Sequence, residues 1–283
     1  MGWQRRRRRR RLNRLGIIIP YRNREEHLAQ MLPHTVSFFR RNTDIEPLFI
    51  VAEQADEHPF NRGAIVNHAY AACSGMIDYV CFHDVDYLPM WADYKEPSLP
   101  SRIIWHGMET RPVGHGTDQY VSAQRYGLAA VSVMKKWHFE SANGYSNTYW
   151  GWGYEDTDLA KRVESVGLPV GYRDGTFIAL DHDSNGYDAN GESRASKENE
   201  KRFSNRVYPD VLDGLSNLAA RVVSIENHMA KGLADGEQAP LLWCKYDLGE
   251  MYALSVKSTK PIDVCGGEQS KVSKATRDSN SNS

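Results

Sequence analysis

The stretch Tyr79-Val-Cys-Phe-His-Asp-Val-Asp86 is an apolar run that ends directly in two carboxylates. Its first five residues fit a short buried strand. Four earlier segments complete the pattern, with strands at 15–20 and 47–51 and helices at 25–39 and 62–72. Strand, helix, strand, helix, strand is the order typical of an α/β protein with a mostly parallel, doubly wound sheet. Ligands bind such sheets beyond the carboxyl ends of the strands, where both carboxylates lie.

The remainder of the chain gives a weaker pattern. Residues 88–117 are rich in Pro, Trp and Gly, and we expect an irregular connection there. The other predicted segments are a strand at 128–134, a helix at 156–166, a hairpin at 170–180, a mobile loop at 184–206, a helix at 208–231 and a strand at 243–254. No internal repeat is present, and we expect a single domain over residues 15–256.

Two polar segments flank that domain. Residues 5–14 contain eight arginines and no acid, so residues 1–14 are expected to form a disordered Arg-rich tail. The rest of the chain has 27 basic against 36 acidic side chains, which argues against a general nucleic-acid binder. The tail could still touch an anionic membrane or another polyanion. Residues 257–283 are rich in Ser, Lys and Asn and are also expected to be disordered.

The sequence also bears on where the protein works. No apolar run approaches the ~20 residues that a membrane-spanning helix needs, and residues 15–19 are too short for the core of a signal peptide. The four cysteines form no metal-type CxxC pair and no dense disulfide framework. The simplest explanation of this cysteine pattern is that the thiols are reduced, as they are in a cytosol. We therefore expect a cytoplasmic protein that could lie peripherally at a membrane.

The segment Trp150-Gly-Trp-Gly-Tyr-Glu-Asp-Thr-Asp-Leu159 combines two indoles, two glycines and three carboxylates just before a helical pattern. Indole faces suit the apolar faces of sugar rings, and glycines let a loop approach a ligand closely. A carboxylate can hold a sugar hydroxyl or take its proton. The alternative is an ordinary helix start, with acids favoured by the helix dipole and with aromatic residues that belong to the core.

Asp84 and Asp86 are candidate metal-binding residues at the end of the third predicted strand. Alternate residues of an extended segment point to opposite faces, so only one carboxylate need contact a metal ion directly. Hard cations such as Mg²⁺ and Mn²⁺ prefer oxygen ligands. His182 follows another apolar run and could add an imidazole, which would favour Mn²⁺. The alternative for His182 is a surface histidine between two aspartates.

Arg22, Arg24 and Arg62 lie at predicted ends of elements, where guanidinium groups can bind a diphosphate or a base. Phe60 could pack against a nucleobase, although each of these side chains could also be a salt-bridge partner or a core aromatic. The chain contains no Walker loop and no Gly-x-Ser-x-Gly or Gly-x-Gly-x-x-Gly sequence. An Asp-x-Asp site, a Trp-Gly loop and a lone later histidine instead suggest a nucleotide-sugar glycosyltransferase.

Four segments of the chain, taken together, resemble the beta-1,4-galactosyltransferase family (glycosyltransferase family 7). They are Ile19-Pro-Tyr-Arg-Asn-Arg-Glu-Glu-His-Leu28, Phe60-Asn-Arg-Gly63, His83-Asp-Val-Asp-Tyr-Leu-Pro89 and Asn143-Gly-Tyr-Ser-Asn-Thr-Tyr-Trp-Gly-Trp-Gly-Tyr-Glu-Asp156. Four motifs in the family's order are far more specific than any one of them. The resemblance implies a GT-A fold, the Rossmann-like fold of nucleotide-diphospho-sugar transferases. Its nucleotide-binding half would be residues 15–90 and its acceptor and catalytic half residues 118–183.

The resemblance also implies an activity and a set of site residues. The activity is the inverting transfer of a sugar, typically galactose, from a UDP-sugar to a saccharide acceptor, with Mn²⁺ as cofactor and Mg²⁺ as the alternative. Asp86 would be the direct metal ligand and His182 the later one. Asp156 would be the general base and Glu155 a neighbouring acceptor ligand. The residues implied at the UDP-sugar are Pro20, Tyr21, Arg22, Arg24, Phe60, Arg62, Asp84 and Trp152.

The chain departs from the family pattern at two places. Leu180-Asp-His182 stands where a member of the family has a His-x-His pair, so one metal ligand is missing or is replaced by Asp181 or Asp183. Gly127, followed by Ala129-Ala130, stands where the family has a donor-contacting tyrosine followed by Gly-Gly. The donor could therefore be UDP-GalNAc or UDP-Glc instead. A non-catalytic domain that binds sugar or UDP is the second alternative.

Overall fold

The first half of the chain forms the predicted alternation of strands and helices. The computed structural model describes residues 13–103, 108–110, 119–121, 127–180 and 197–258. The first elements are β1 (Leu15–Tyr21), α1 (Glu25–Asn42), β2 (Leu48–Gln54), α2 (Arg62–Cys73) and β3 (Tyr79–His83). All five were predicted, with ends within three residues of those observed.

The later elements are shorter and less regular. They are β4 (Tyr87–Ala92), β5 (Ser101–Arg102), β6 (Met108–Thr110), β7 (Gln119–Val121), β8 (Val131–Lys135), α3 (Lys136–Ser141), α4 (Glu155–Ser165), β9 (Gly171–Tyr172), β10 (Gly175–Ala179), α5 (Lys197–Ser204), β11 (Arg221–Lys231), β12 (Gln238–Asp247) and α6 (Gly249–Ser258). None of the helices in the described part of the chain is both long and apolar enough to cross a bilayer.

The central sheet has eight strands in the order β11-β12-β2-β1-β3-β8-β5-β9. β12, β2, β1 and β3 run parallel to one another. β8 is antiparallel to both of its neighbours, and β11 is antiparallel to β12. The mostly parallel α/β sheet is therefore confirmed. β4 pairs with β10 in a separate two-stranded sheet, as does β6 with β7.

Both faces of the central sheet are buried, which explains why β1, β2 and β3 are continuous apolar runs rather than alternating ones. Ile18, Ile50 and Phe82 pack on one face together with α2. Residues next to them along the strands, such as Ile17 and Phe49, pack on the other face together with α1. The parallel strands consequently end at a common edge of the sheet, where loops can meet a ligand.

Several predictions about the second half are wrong, among them the mobile loop at 184–206, which contains α5. Residues 221–231 form strand β11 and not part of a helix, since the β-branched side chains of Val222, Val223 and Ile225 favour a strand and β12 supplies its partner. The predicted last strand is instead the end of β12 followed by α6. The predicted hairpin at 170–180 is not one, because β9 pairs with β5 and β10 pairs with β4. That last pairing also places β4 inside the segment predicted to be irregular.

A buried ion network fixes α4 to the segment that follows α5. Asp158 is fully buried and accepts from Arg162 Nε at 2.8 Å, while its other oxygen lies 3.3 Å from Arg206 Nε. The hydroxyl of Tyr149 donates to the same oxygen at 3.2 Å. Both guanidinium groups also pair with Asp213, at 3.5 Å from Arg162 and 2.6 Å from Arg206, so Asp158 is the fully buried member of a shared network, and α4 cannot rotate without breaking these contacts.

We predict that Asp158→Asn lowers the free energy of unfolding by about 3 kcal/mol, because it removes the fully buried charge of the network and leaves two guanidinium groups with only the more exposed Asp210 and Asp213. Urea unfolding monitored by circular dichroism measures this change. Lys161→Ala is the matched control, since Lys161 makes an exposed pair with Glu164 on the same helix and should change stability by no more than ~0.5 kcal/mol. Equal losses in the two variants would contradict a structural role for the network.

Candidate active site

Arg62 and Asp84 form an ion pair at the carboxyl edge of the sheet. Arg62 is the first residue of α2, and Asp84 directly follows β3. The guanidinium donates to Asp84 Oδ1 from Nη2 at 2.7 Å and from Nε at 2.9 Å. The Asp84 side chain is still 30% exposed against 11% for Arg62, so the carboxylate can be reached from solvent.

The local sequence explains why Arg62 stands at this point. Asn61 caps α2, its Oδ1 accepting from the amide of Ala64 at 2.9 Å and its Nδ2 donating to the Asn147 carbonyl at 2.8 Å. A Cβ at position 63 would lie 2.6 Å from the carbonyl oxygen of Ser146, so only glycine allows the two backbones to approach. The Phe60-Asn-Arg-Gly63 segment is thus a helix start docked on the 145–147 segment.

Asp84 belongs to a cluster of acidic side chains. Burial raises its pKa above the ordinary value, and the positive charge of Arg62 opposes that shift. The negative charges of Asp86 and Asp156 raise the pKa of Asp84 further. Asp86 is buried to 8% exposure. The structure therefore brings the predicted metal motif and the predicted base into one electrostatic cluster.

Glu155 joins this cluster from the first turn of α4. Burial, and then the charge of Asp156, raise the pKa of Glu155 from its ordinary 4.5 to about 7, whereas Arg62 lowers it. Glu155 Oε2 is buried and has no hydrogen-bond partner among the described residues. A buried carboxyl oxygen without a hydrogen-bond partner costs stability. It is therefore available to a ligand hydroxyl.

Asp156 has one carboxyl oxygen held by its own helix and one directed elsewhere. Oδ1 accepts from the amide of Thr157 at 2.7 Å and from the Thr157 hydroxyl at 3.3 Å. Oδ2 lies 3.3 Å from where a Cβ at Gly127 would be, and Gly127 has a φ of +132°. The absence of a side chain at position 127 thus leaves space beside the second oxygen of Asp156.

The Trp-Gly loop, residues 150–154, is held from two sides. The Gly151 amide donates to the Phe60 carbonyl at 2.8 Å, which ties the loop to the start of α2. On the other side, Asn199 Nδ2 lies 3.1–3.4 Å from the carbonyl oxygens of Trp150, Trp152 and Gly153. Trp152 itself is 46% exposed, so its indole is open to solvent.

The predicted UDP-binding residues near β1 have different surroundings. The Arg22 guanidinium lies 5.8 Å from the centre of the Phe60 ring and donates to the His58 carbonyl. Tyr21 packs edge-on against Trp243, and burial together with Glu25 raises the pKa of Tyr21 to about 12.

Two further predicted residues lie along the same segment. Pro20 is buried within β1 and pairs with Ala52 of β2. Arg24 directly precedes α1, and its carbonyl accepts from the amide of Leu28. The described contacts therefore group Arg22 with Phe60, while Pro20 and Arg24 have backbone roles.

The predicted histidine ligand cannot be placed. His182, together with Asp181 and Asp183, lies outside the described residues. Among the residues that are described, no three His, Cys, Asp or Glu side chains are grouped so as to hold a metal ion. His83, next to the metal motif, is buried against Tyr94, and burial lowers its pKa to about 4. The pairing of Asp86 with His182 thus stays a prediction.

Sequence reasoning missed several residues that hold the site together. Tyr145 accepts from Arg62 Nη1 at 2.9 Å, and Phe203 stacks on Tyr154 with ring centres 5.3 Å apart. Asn199 lies in a segment predicted to be a mobile loop, although it is 2% exposed. Tyr145 falls within a matched motif and could have been noticed. Nothing in the local pattern distinguished Asn199 or Phe203.

Solved structures share this architecture. The catalytic domain of Drosophila beta-1,4-galactosyltransferase 7 in complex with xylobiose aligns with a TM-score of 0.61 at 24% identity. A point mutant of the same enzyme in complex with manganese, UDP-Gal and xylobiose aligns with a TM-score of 0.63 at 25% identity. Each alignment covers 84% of this chain and 97% of the solved chain. The fold is therefore of the GT-A type, the class of nucleotide-sugar transferases.

Sequence comparison identifies the family. The model for the N-terminal region of glycosyl transferase group 7 matches residues 3–95, and the model for the N-terminal domain of galactosyltransferase matches residues 117–182. The two matches together include more than half of the chain. The chain belongs to the group 7 glycosyltransferases, the beta-1,4-galactosyltransferase family.

Individual relatives are distant and longer. Beta-1,4-galactosyltransferase 7 of Drosophila melanogaster is 28% identical over 223 residues, which are 76% of this chain and 65% of the relative. The mouse enzyme of the same name is 32% identical over 161 residues, which are 56% of this chain and 46% of the relative. Human beta-1,4-galactosyltransferase 4 is 30% identical over 224 residues, or 77% and 61%. The chain thus spans less than two thirds of the length of these curated relatives.

We predict that Glu155→Gln changes how stability depends on pH. Because the pKa of Glu155 is raised to about 7, the folded protein binds this proton more tightly than the unfolded chain does. That contribution to stability is complete below the ordinary pKa and is lost as the pH rises through about 7. In EDTA, the free energy of unfolding of the wild type should therefore fall relative to the Gln variant between pH 4.5 and 7. Parallel curves for the two proteins, measured by urea unfolding, would contradict a raised pKa.

Proposed function

We propose that this chain is a metal-dependent, inverting glycosyltransferase that moves a sugar, in the first place galactose, from a UDP-sugar to a hydroxyl of a saccharide. One observation carries the proposal. The carboxylates of Asp84, Asp86, Glu155 and Asp156 share one cluster with Arg62 at the edge of a GT-A sheet. In such a site, carboxylates can bind a metal ion, the guanidinium group of Arg62 can bind phosphate, and a further carboxylate can accept a proton.

The donor side consists of Arg22, Phe60 and Arg62. A guanidinium over an aromatic ring, as Arg22 lies over Phe60, offers a flat surface for a uracil ring and a charge for its phosphates. Arg62 pairs with Asp84 and can also approach the diphosphate of the donor. The described contacts leave room for these roles, since Phe60 is only partly buried.

The chemistry of the donor set fits a hard divalent cation, Mn²⁺ or Mg²⁺. Asp86 would hold the ion, with Asp84 beside it and His182 as the later ligand, because carboxylate oxygens are the atoms such ions prefer. The solved Drosophila relative holds manganese together with UDP-Gal. When bound, the ion supplies positive charge that stabilises the departing diphosphate.

Asp156 is the general base of the proposed reaction. Its Oδ2 takes the proton of the acceptor hydroxyl as that oxygen attacks the anomeric carbon. The new C–O bond forms as the bond from the anomeric carbon to the UDP oxygen breaks, which inverts the configuration. The Thr157 amide holds Oδ1 of Asp156 at 2.7 Å and so keeps the other oxygen directed outward. Trp152 covers the ligands and excludes water, which limits donor hydrolysis.

The acceptor carries a sugar hydroxyl that Glu155 can bind through its unpaired Oε2. Xylobiose is the saccharide in both solved Drosophila structures, and a xylose-containing acceptor is our first candidate. An N-acetylgalactosaminyl or glucosyl donor is the second candidate, because Gly127 leaves space beside Asp156. We also retain as proposals a cytoplasmic location and contact of the Arg-rich segment with anionic surfaces.

The test is a UDP-release assay with Mn²⁺, in which UDP-Gal, UDP-GalNAc and UDP-Glc are each paired with xylose, xylobiose and other simple acceptors. We expect acceptor-dependent release with UDP-Gal and its loss in EDTA. Asp86→Ala should remove both metal-dependent UDP binding and turnover. Metal-dependent UDP binding by a wild-type protein that consumes none of the three donors would favour a non-catalytic domain.

Asp156→Asn should bind UDP and Mn²⁺ as the wild type does, yet its transfer rate should fall by at least ~10², the usual scale for a positioned base. The amide keeps the shape of the side chain but cannot accept the proton. Isothermal titration and single-turnover transfer measure the two quantities separately. Normal transfer by the Asn variant would remove Asp156 from the role of base.

A further inference from the structure

Tyr252 of helix α6 contacts two parts of the proposed site, the turn that carries His58 and the Trp-Gly loop that begins at Trp150. Its ring stacks on His58, with ring centres 4.2 Å apart and planes at 17°. The same ring meets Trp150 edge-on, with centres 4.9 Å apart and planes at 82°. Tyr252 lies 70 residues beyond the end of the family match at residue 182. The family motifs therefore give no reason to expect it here.

His58 belongs to the donor side of the site. Its carbonyl accepts from the guanidinium of Arg22, and its amide donates to Asp56 Oδ1 at 3.0 Å. Asp56 Oδ2 in turn accepts from the amide of Leu248, just before α6, at 2.7 Å. The start of α6 and the turn that carries His58 are therefore joined by one carboxylate as well as by the ring stack.

Trp150 is the first residue of the Trp-Gly loop. The next amide, that of Gly151, donates to the Phe60 carbonyl, two residues after His58 in the chain. The Trp150 indole nitrogen is buried and has no hydrogen-bond partner among the described residues. Packing of its ring therefore has a large part in fixing the indole, and Tyr252 supplies one of the faces against which it packs.

We propose that Tyr252 is a positioning residue, which fixes the Trp-Gly loop relative to the donor side through its simultaneous contacts with His58 and Trp150. The inference rests on the proposed transferase function, because that function has Trp152 of the same loop covering the ligands. Stacked and edge-on aromatic contacts are directional. The Tyr252 ring therefore sets the position of Trp150, the first residue of the loop, and does not only bury it. The proposal concerns the two ring contacts of Tyr252.

The test compares four variants. Tyr252→Phe keeps the ring, Tyr252→Leu keeps apolar bulk without a ring face, and His58→Ala removes the stacking partner without changing α6. Leu254→Ala is the matched control, because Leu254 is 60% exposed on the same helix. The readouts are UDP binding with Mn²⁺, the ratio of transfer to donor hydrolysis, and hydrogen–deuterium exchange of peptides covering residues 150–154.

We expect the Leu variant to lose at least ~10-fold in the ratio of transfer to hydrolysis, since small misplacement of a loop at a reacting centre is costly. UDP binding should stay near the wild-type value, and exchange at residues 150–154 should be faster. The Phe and Leu254→Ala variants should match the wild type, and His58→Ala should resemble the Leu variant.

Two results would overturn the proposal. One is a Leu variant with wild-type exchange and a wild-type ratio. The other is a Phe variant impaired as much as the Leu variant, which would assign the effect to the hydroxyl. If Tyr252→Leu does not fold, His58→Ala tests the same stack from the other side. A wild type that consumes no donor would refute the proposed function, while the exchange measurement would still decide whether Tyr252 fixes the loop.

Discussion

The ion pair between Arg62 and Asp84 is the contact on which the arrangement of the site depends. Four carboxylates lie near enough to one another at one edge of the sheet to raise each other's pKa, and like charges repel more strongly when they are partly desolvated. Arg62 places a positive charge in that group, and it opposes the upward pKa shift of both Asp84 and Glu155. The guanidinium can do this because the Asn61 cap and the close approach at Gly63 fix the start of α2. A short helix start thus allows an acidic pocket to exist before any ligand arrives.

The sequence was most informative where one physical rule dominates. β1, β2 and β3 are buried on both faces and so appear as short continuous apolar runs, while α1 has an apolar stripe that packs on one face and α2 is buried along residues 63–70. β11 was mispredicted because most of its side chains are exposed, and such a strand has no burial pattern to reveal it. β11 is a strand because it pairs with β12, and a short stretch of sequence does not reveal that tertiary contact.

The same contrast applies to the site. Asp84, Asp86, Glu155 and Asp156 were found from motifs, and the structure brings them together. Asn199 was missed because a buried amide that gathers three carbonyls has no sequence signature beyond one polar residue in a charged segment. Tyr252 was missed for a related reason, since its partners lie about 100 and 190 residues away in the chain. Motifs identify the groups that react, whereas the side chains that hold those groups in place are set by distant packing.

The pairing of β12 with β2 has a consequence for how the protein is made. Leu241 lies opposite Phe49 in parallel register, so the two strands are joined across most of the polypeptide. At ordinary rates of synthesis, β2 leaves the ribosome about 10 to 40 s before β12 does. During that interval one edge of β2 has unpaired backbone groups, which invite association with other chains. Until β12 emerges, that edge of the nascent sheet stays open, and the order of translation itself delays completion of the fold.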